Sequence, residues 1–135
     1  KLGERVKDCK VTIVLEPLSR GDSNILNTVA EGVAYVDAIN CPNVCLLADF
    51  YHMQKEGEGP DAIRKAGASI RHCHIAELEG RKAPGSGGSD MRGFFRALRD
   101  IGYAGGVSCE CAWPKDNIEE AWAVALASMR DQAKE

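Results

Sequence analysis

Residues 11–16, VTIVLE, form an almost unbroken apolar run that closes on a glutamate. A strand keeps so many apolar residues together when its outer face is covered, as in a parallel sheet. Downstream, residues 24–39 carry Leu26, Val29, Val33, Val36 and Ile39 at helical spacing, with Asn40 as a stop. A second run, VCLLAD at 44–49, leads to a short helix expected over 60–66, with Pro60 at its start and Gly67 past its end. IRHCHIA at 70–76 is the third strand, and a loop rich in Gly, Ser and Pro covers 79–89. A helix over 91–101 sets Phe94, Phe95 and Leu98 on one side and ends at Gly102. The fourth strand is expected over 106–111, and a closing helix over 117–133 has Asn117 or Asp116 as its cap.

Four strand–helix repeats predict an α/β fold with a parallel sheet. A full (βα)8 barrel takes about 250 residues. The 135 residues therefore read as a single partial TIM-barrel domain, half of a barrel. An open flavodoxin-like sheet is the rival architecture. Residues 1–8 read as the tail of an earlier helix, and a chain opening on Lys1 is expected to be a truncated, processed or partial product.

Composition removes several function classes. Hydrophobic residues at 44% and charged residues at 27% fit a globular protein rather than a disordered, collagenous or coiled-coil one. A net charge of −3 without a basic cluster argues against nucleic acid as partner. The chain holds no apolar run of roughly 18 residues, so no membrane association is expected. The six cysteines include no CxxC pair, and free, buried thiols in a reducing cytoplasm are the expectation.

Each strand ends on or near an ionisable residue. Glu16, Asp49, His74 and Glu110 are separated by 33, 25 and 36 residues, one βα repeat each. Such spacing brings the four together at the carboxyl ends of adjacent strands, where βα folds place their sites. The bland alternative is four independently solvated charges. Three carboxylates and an imidazole suit a hard divalent ion better than a soft one. Period-two alternation turns Cys73, Cys109 and Cys111 outward and His72 inward, one layer below His74. The 85–88 stretch GSGG reads as a flexible active-site loop rather than a phosphate cradle. Trp113 is expected at a pocket edge and Trp122 in the core. Phe50 and Tyr51 either wall the site or pack beneath it, and residues 56–58 read as a solvated loop.

LEPLSRGDSN (15–24), ADFYHM (48–53), HCHIAE (72–77), RKAPG (81–85) and SCE (108–110) together resemble the xylose isomerase-like TIM barrels. Within these, the chain is most similar to the ketose 3-epimerases and hydroxypyruvate isomerases, and it matches the second half of such a barrel. The resemblance implies one divalent ion (Mn²⁺, Mg²⁺ or Co²⁺) held by Glu16, Asp49, His74 and Glu110. It implies a sugar or hydroxy-keto substrate, with Glu16 and Glu110 as the acid–base pair that moves a proton through an enediolate. His52, Asp22 and Arg81 would contact that substrate, although Asp22 stands where the epimerases carry Glu and Arg81 sits one residue late. Four strands with two bare edges imply a homodimer or a missing N-terminal half. The alternatives are a zinc-dependent abasic-site endonuclease, which shares the Asp–x–x–His pair but needs an Asp–x–His where this chain has Asp90, Met91 and Arg92, and a non-catalytic module on the same fold.

Overall fold

The computed structural model describes residues 2–135. Lys1 lies outside the described residues; the helix expected near it is present as α1 (Leu2–Val6). Then follow β1 (Ile13–Leu15), α2 (Val29–Ile39), β2 (Val44–Asp49), α3 (Phe50–Lys55) and α4 (Pro60–Ala66). A 3-10 turn (Gly67–Ser69) leads into β3 (Ile70–Ile75), and another (Glu79–Arg81) follows it. The chain closes with α5 (Arg92–Asp100), β4 (Val107–Cys109) and α6 (Ile118–Lys134).

The sheet decides the architecture. All pairings are parallel and the spatial order is β1-β2-β3-β4, the sequential order of a barrel wall. A flavodoxin-like sheet would reorder its strands. The fold is the C-terminal half of a (βα)8 barrel, four parallel βα units.

Helices cover one face of the sheet. Leu46, Cys73 and Ile75 are buried there together with Val29, Val36, Met53 and Ile63. Phe50 is fully buried, stacked on Phe94 with ring centroids 4.7 Å apart and edge-on to Phe95 at 6.1 Å. It belongs to the core and not to a substrate wall. Helix α2 lies so close to β2 that a Cβ on Gly32 would fall 2.8 Å from Leu46 Cδ2.

Several expectations are corrected. Helix α2 starts at Val29 rather than residue 24, because Thr28 caps it by accepting from the Glu31 amide at 3.1 Å. Before it, Asn27 ties an irregular loop together, donating to the carbonyls of Leu18 and Ser23. Residues 56–58 are not simply solvated: Glu56 accepts from the Arg20 amide at 2.7 Å, and Glu58 accepts from the Val29 amide. Trp122 is 51% exposed, not core, because Ala125 is the single buried residue of α6 and the helix face carrying Trp122 meets no covering layer. All six cysteines are free, but against expectation only Cys45 and Cys73 are buried; Cys41, Cys109 and Cys111 are half-buried and Cys9 is exposed. Asn117 does precede α6, but its side chain makes no capping bond. No helix of the described residues is long and apolar enough to cross a membrane.

Candidate metal centre and active site

The four strand-end residues meet. Glu16 directly follows β1, Asp49 ends β2, His74 is the fifth residue of β3, and Glu110 directly follows β4. One ligand atom from each lies within 4.8 Å of all the others. His74 Nδ1 stands 3.3 Å from Glu16 Oε1 and 3.3 Å from Glu110 Oε2, so the two glutamates flank the imidazole.

Local structure aims these groups. Asp49 is both the end of a strand and the N-cap of α3, and its Oδ1 accepts from the Tyr51 amide at 2.8 Å. That bond turns Oδ2 toward the cluster. The Asp49 side chain is wholly buried, and desolvation pushes its pKa up to about 6 against the Tyr51 hydrogen bond. Burial likewise raises Glu16, with the neighbouring His74 opposing it. Glu16 Oε1 and His74 Nδ1 are buried and, despite their proximity, neither has a hydrogen-bond partner. Buried polar atoms are rarely left without a partner. Three carboxylates in a half-buried site also carry more negative charge than their neighbours offset. Orphaned donor atoms, oxygen and imidazole chemistry, and excess negative charge all fit a divalent cation.

Around the cluster the other expected residues divide. His52 is buried, with Nε2 3.8 Å from Asp49 Oδ2. Its Nδ1 accepts from the Ser19 amide at 3.2 Å, which places the proton of the neutral ring on Nε2, facing Asp49. Desolvation holds its pKa down. Asp22 does not join the cluster. It lies beside Nδ1, the other nitrogen of His52, and accepts from Ser19 Oγ at 2.6 Å and Lys55 Nζ at 3.1 Å, bonds that lower its pKa. Arg81 does reach in: one guanidinium nitrogen lies 3.4 Å from Asp49 Oδ2 and also pairs with Glu110 Oε2. The same guanidinium lies over the Tyr51 ring at 4.8 Å, so Tyr51 is a wall of the site. His72 faces inward below His74 as the alternation requires, with ring centroids 5.3 Å apart, and is hydrogen-bonded to Ser108 Oγ at 3.0 Å.

Glu77 was missed as a functional residue. It is 2% exposed, and its carboxylate accepts from the amides of Gly85 at 2.7 Å and Ser89 at 2.9 Å. Burial works to raise its pKa, but the bonds from Ser89 and Gly85 outweigh it and the result is lowered. The loop amides that could cradle a phosphate are thus spent on an internal carboxylate, and the loop carrying Arg81 is tied down. The available signal was a glutamate three residues past His74, ahead of a glycine-rich loop. Trp113 lines a cavity of about 550 Å³ with Lys82, Pro84, Ala112 and Val124, between that loop and α6; no cluster residue lines it.

Residues 1–132 match the family described as xylose isomerase-like TIM barrel. The chain belongs to that family. It is 37% identical over 111 residues to a D-psicose 3-epimerase of Enterocloster bolteae, covering 82% of this chain and 36% of the relative. The structure superposes on 3-keto-D-glucoside 4-epimerase from E. coli with a TM-score of 0.88 at 29% identity, over 96% of this chain and 49% of that one. It also superposes on IOLI, solved with a bound zinc atom, with a TM-score of 0.83 at 27% identity, over 98% of this chain and 52% of that one. The chain thus spans about a third of this curated relative and about half of each of these two solved chains.

Proposed function

We propose that this chain carries the metal and acid–base half of a divalent-metal-dependent sugar or sugar-phosphate epimerase or isomerase. The observation behind this is the convergence of Glu16, Asp49, His74 and Glu110 within 4.8 Å at the carboxyl ends of four successive strands. These residues would hold one Mn²⁺, Mg²⁺ or Co²⁺. When bound, the ion supplies positive charge beside the carbonyl and hydroxyl oxygens of a ketose, favouring the enediolate that forms when a neighbouring carbon loses its proton.

Glu16 and Glu110 handle that proton. They follow β1 and β4, the two outer strands of the sheet, and each lies 3.3 Å from His74 Nδ1; one carboxylate would remove the proton and the other, protonated, would return one to the opposite face, inverting the carbon. Burial raises the proton affinity of Glu16, which suits a general base. The Nε2–H of His52 and the guanidinium of Arg81 are donors facing the site, placed to bind substrate hydroxyls once the cluster is loaded. Asp22 serves at one remove, ordering Ser19 beside His52 and holding Lys55 at the rim. The ketose 3-epimerase named above supports this choice of substrate class.

The endonuclease reading lacks its additional donors: Met91 is buried at 2% exposure, and Arg92 pairs with Asp90 and Glu135. We take residues 1–135 as one partial domain, whose bare β1 and β4 edges are closed by four further βα units. These come from an N-terminal half or from a second copy of the chain.

The test is proton exchange. With Mn²⁺ and a ketose such as D-psicose in deuterated water, the protein should wash deuterium into C3, and Glu110→Gln should abolish it. Exchange that survives in the variant removes Glu110 from the acid–base role, and no exchange in the unaltered chain removes the activity from this half.

A further inference from the structure

The cluster already contains a cation. Arg81 pairs with both Asp49 and Glu110, its Nε lies 3.2 Å from the Glu110 carbonyl oxygen, and its planar head rests on Tyr51. Among the described residues it is the only Lys or Arg paired with any of the four cluster residues. Three carboxylates held this close repel one another, and a guanidinium is the side chain best shaped to bridge two of them.

The backbone fixes this placement. Arg81 adopts φ +50°, the left-handed region that disfavours a residue with a side chain. The strain is held by neighbours: Arg81 O accepts from the Ala112 amide at 2.7 Å, and Lys82 O accepts from the Glu77 amide at 2.9 Å. The Glu77 carboxylate anchors the rest of the loop. A residue held in a costly conformation with its charge over two carboxylates is poised rather than free.

We propose that Arg81 is the built-in counter-ion of the metal-free site, a latch that the incoming divalent ion must displace. In the metal-free protein it offsets the repulsion among Glu16, Asp49 and Glu110. On loading, its two carboxylate partners turn to the metal, and the guanidinium, still held over Tyr51, is released toward the substrate side. Metal binding and the freeing of a substrate-facing arginine thus become one event. The inference rests on the metal part of the reading above and not on the epimerisation step.

Binding of the metal alone tests it. Arg81→Met should bind Mn²⁺ about tenfold or more tightly by calorimetry, the scale of one charge-assisted contact no longer lost on loading. Its metal-free form should melt lower than the unaltered protein, and Arg81→Lys should fall between. Equal or weaker Mn²⁺ binding by Arg81→Met overturns the latch and leaves the metal site standing. No Mn²⁺ uptake by either protein overturns both. Should Arg81→Met not fold, the unaltered chain decides: its Arg81 Nε–Hε NMR signal should shift as Mg²⁺ is added. A signal that stays still while the His74 signals report Mg²⁺ binding refutes the latch.

Discussion

The two central strands and the two flanking ones are built alike and end up in different surroundings. Every residue of β2 is buried, whereas β1 and β4 have three residues each and none fully buried. The same contrast separates two helices. Four of the nine residues of α5 are buried, among them Phe94, Phe95 and Leu98, while one of the 17 in α6 is. Central strands pair on both sides and flanking strands on one, so the difference lies in neighbours and not in composition. Ile118, Trp122, Val124 and Leu126 stand exposed on α6 although their type belongs in an interior. Stability should therefore reside in the centre, and the flanks should respond to whatever completes the wall.

Leu46 gives the hardest test of that division. It is 1% exposed, and its side chain meets the close approach of α2 at Gly32. Leu46→Ala removes buried methyl groups and leaves a cavity that a close-packed sheet cannot collapse, at a cost of about 2–5 kcal/mol. The urea midpoint should fall accordingly. A loss below about 1 kcal/mol would mean that the centre is no tighter than the edges.

How far the sequence reveals these features depends on the kind of force involved. The cluster is legible because each of its four residues lies at or near the end of an apolar run and consecutive runs are one βα unit apart, which is chain geometry. The start of α2 is not: Leu26 fits the helical period, but the side chain of Asn27 bonds the carbonyls of Leu18 and Ser23 instead. Helix α3 is hidden because it follows β2 with no intervening turn residue, Asp49 acting as ligand candidate and helix cap together. Glu77 is faint, marked only by its place ahead of a glycine-rich loop, since its partners are backbone amides, which every residue has. Trp122 misleads because a helical stripe says which residues share a face, never whether a neighbour covers it.

A middle-sized effect lies where the central and flanking strands meet, at Asp49. Its pKa rises from an ordinary 3.8 to about 6 in the folded state, so the folded protein binds the proton more tightly than the unfolded one. That stabilisation is complete below about pH 4 and is lost as pH climbs through about 6, a swing of up to about 3 kcal/mol. His52 works in the opposite sense, since its depressed pKa costs stability as pH falls through its unfolded value. The difference between two curves isolates Asp49. Measured by melting temperature without metal, Asp49→Asn should gain on the unaltered protein as pH rises from 4 to 6. Saturating Mn²⁺ at pH 7 should stabilise the unaltered protein more than the variant. Parallel curves for the two proteins would mean that this carboxylate ionises as freely as one in water.

The smallest expected effect bears most directly on the flanks. Trp122 packs edge-to-face on Trp113, with ring centroids 6.5 Å apart, and is half exposed to water. In a dilute monomer Trp122→Ala should cost about 0.5–1 kcal/mol, the scale of one exposed aromatic pair. If a second copy covers α6, the cost grows with protein concentration, because association stabilises the folded state by mass action and the variant weakens it. Melting at micromolar and at near-millimolar protein, with light scattering at both, separates these cases. A gap between the two proteins that widens with concentration assigns the apolar stripe to a second copy. A gap that stays small and constant, with one mass throughout, rules out a second copy as the cover, and the contrast between centre and flank becomes that between a finished wall and an open one.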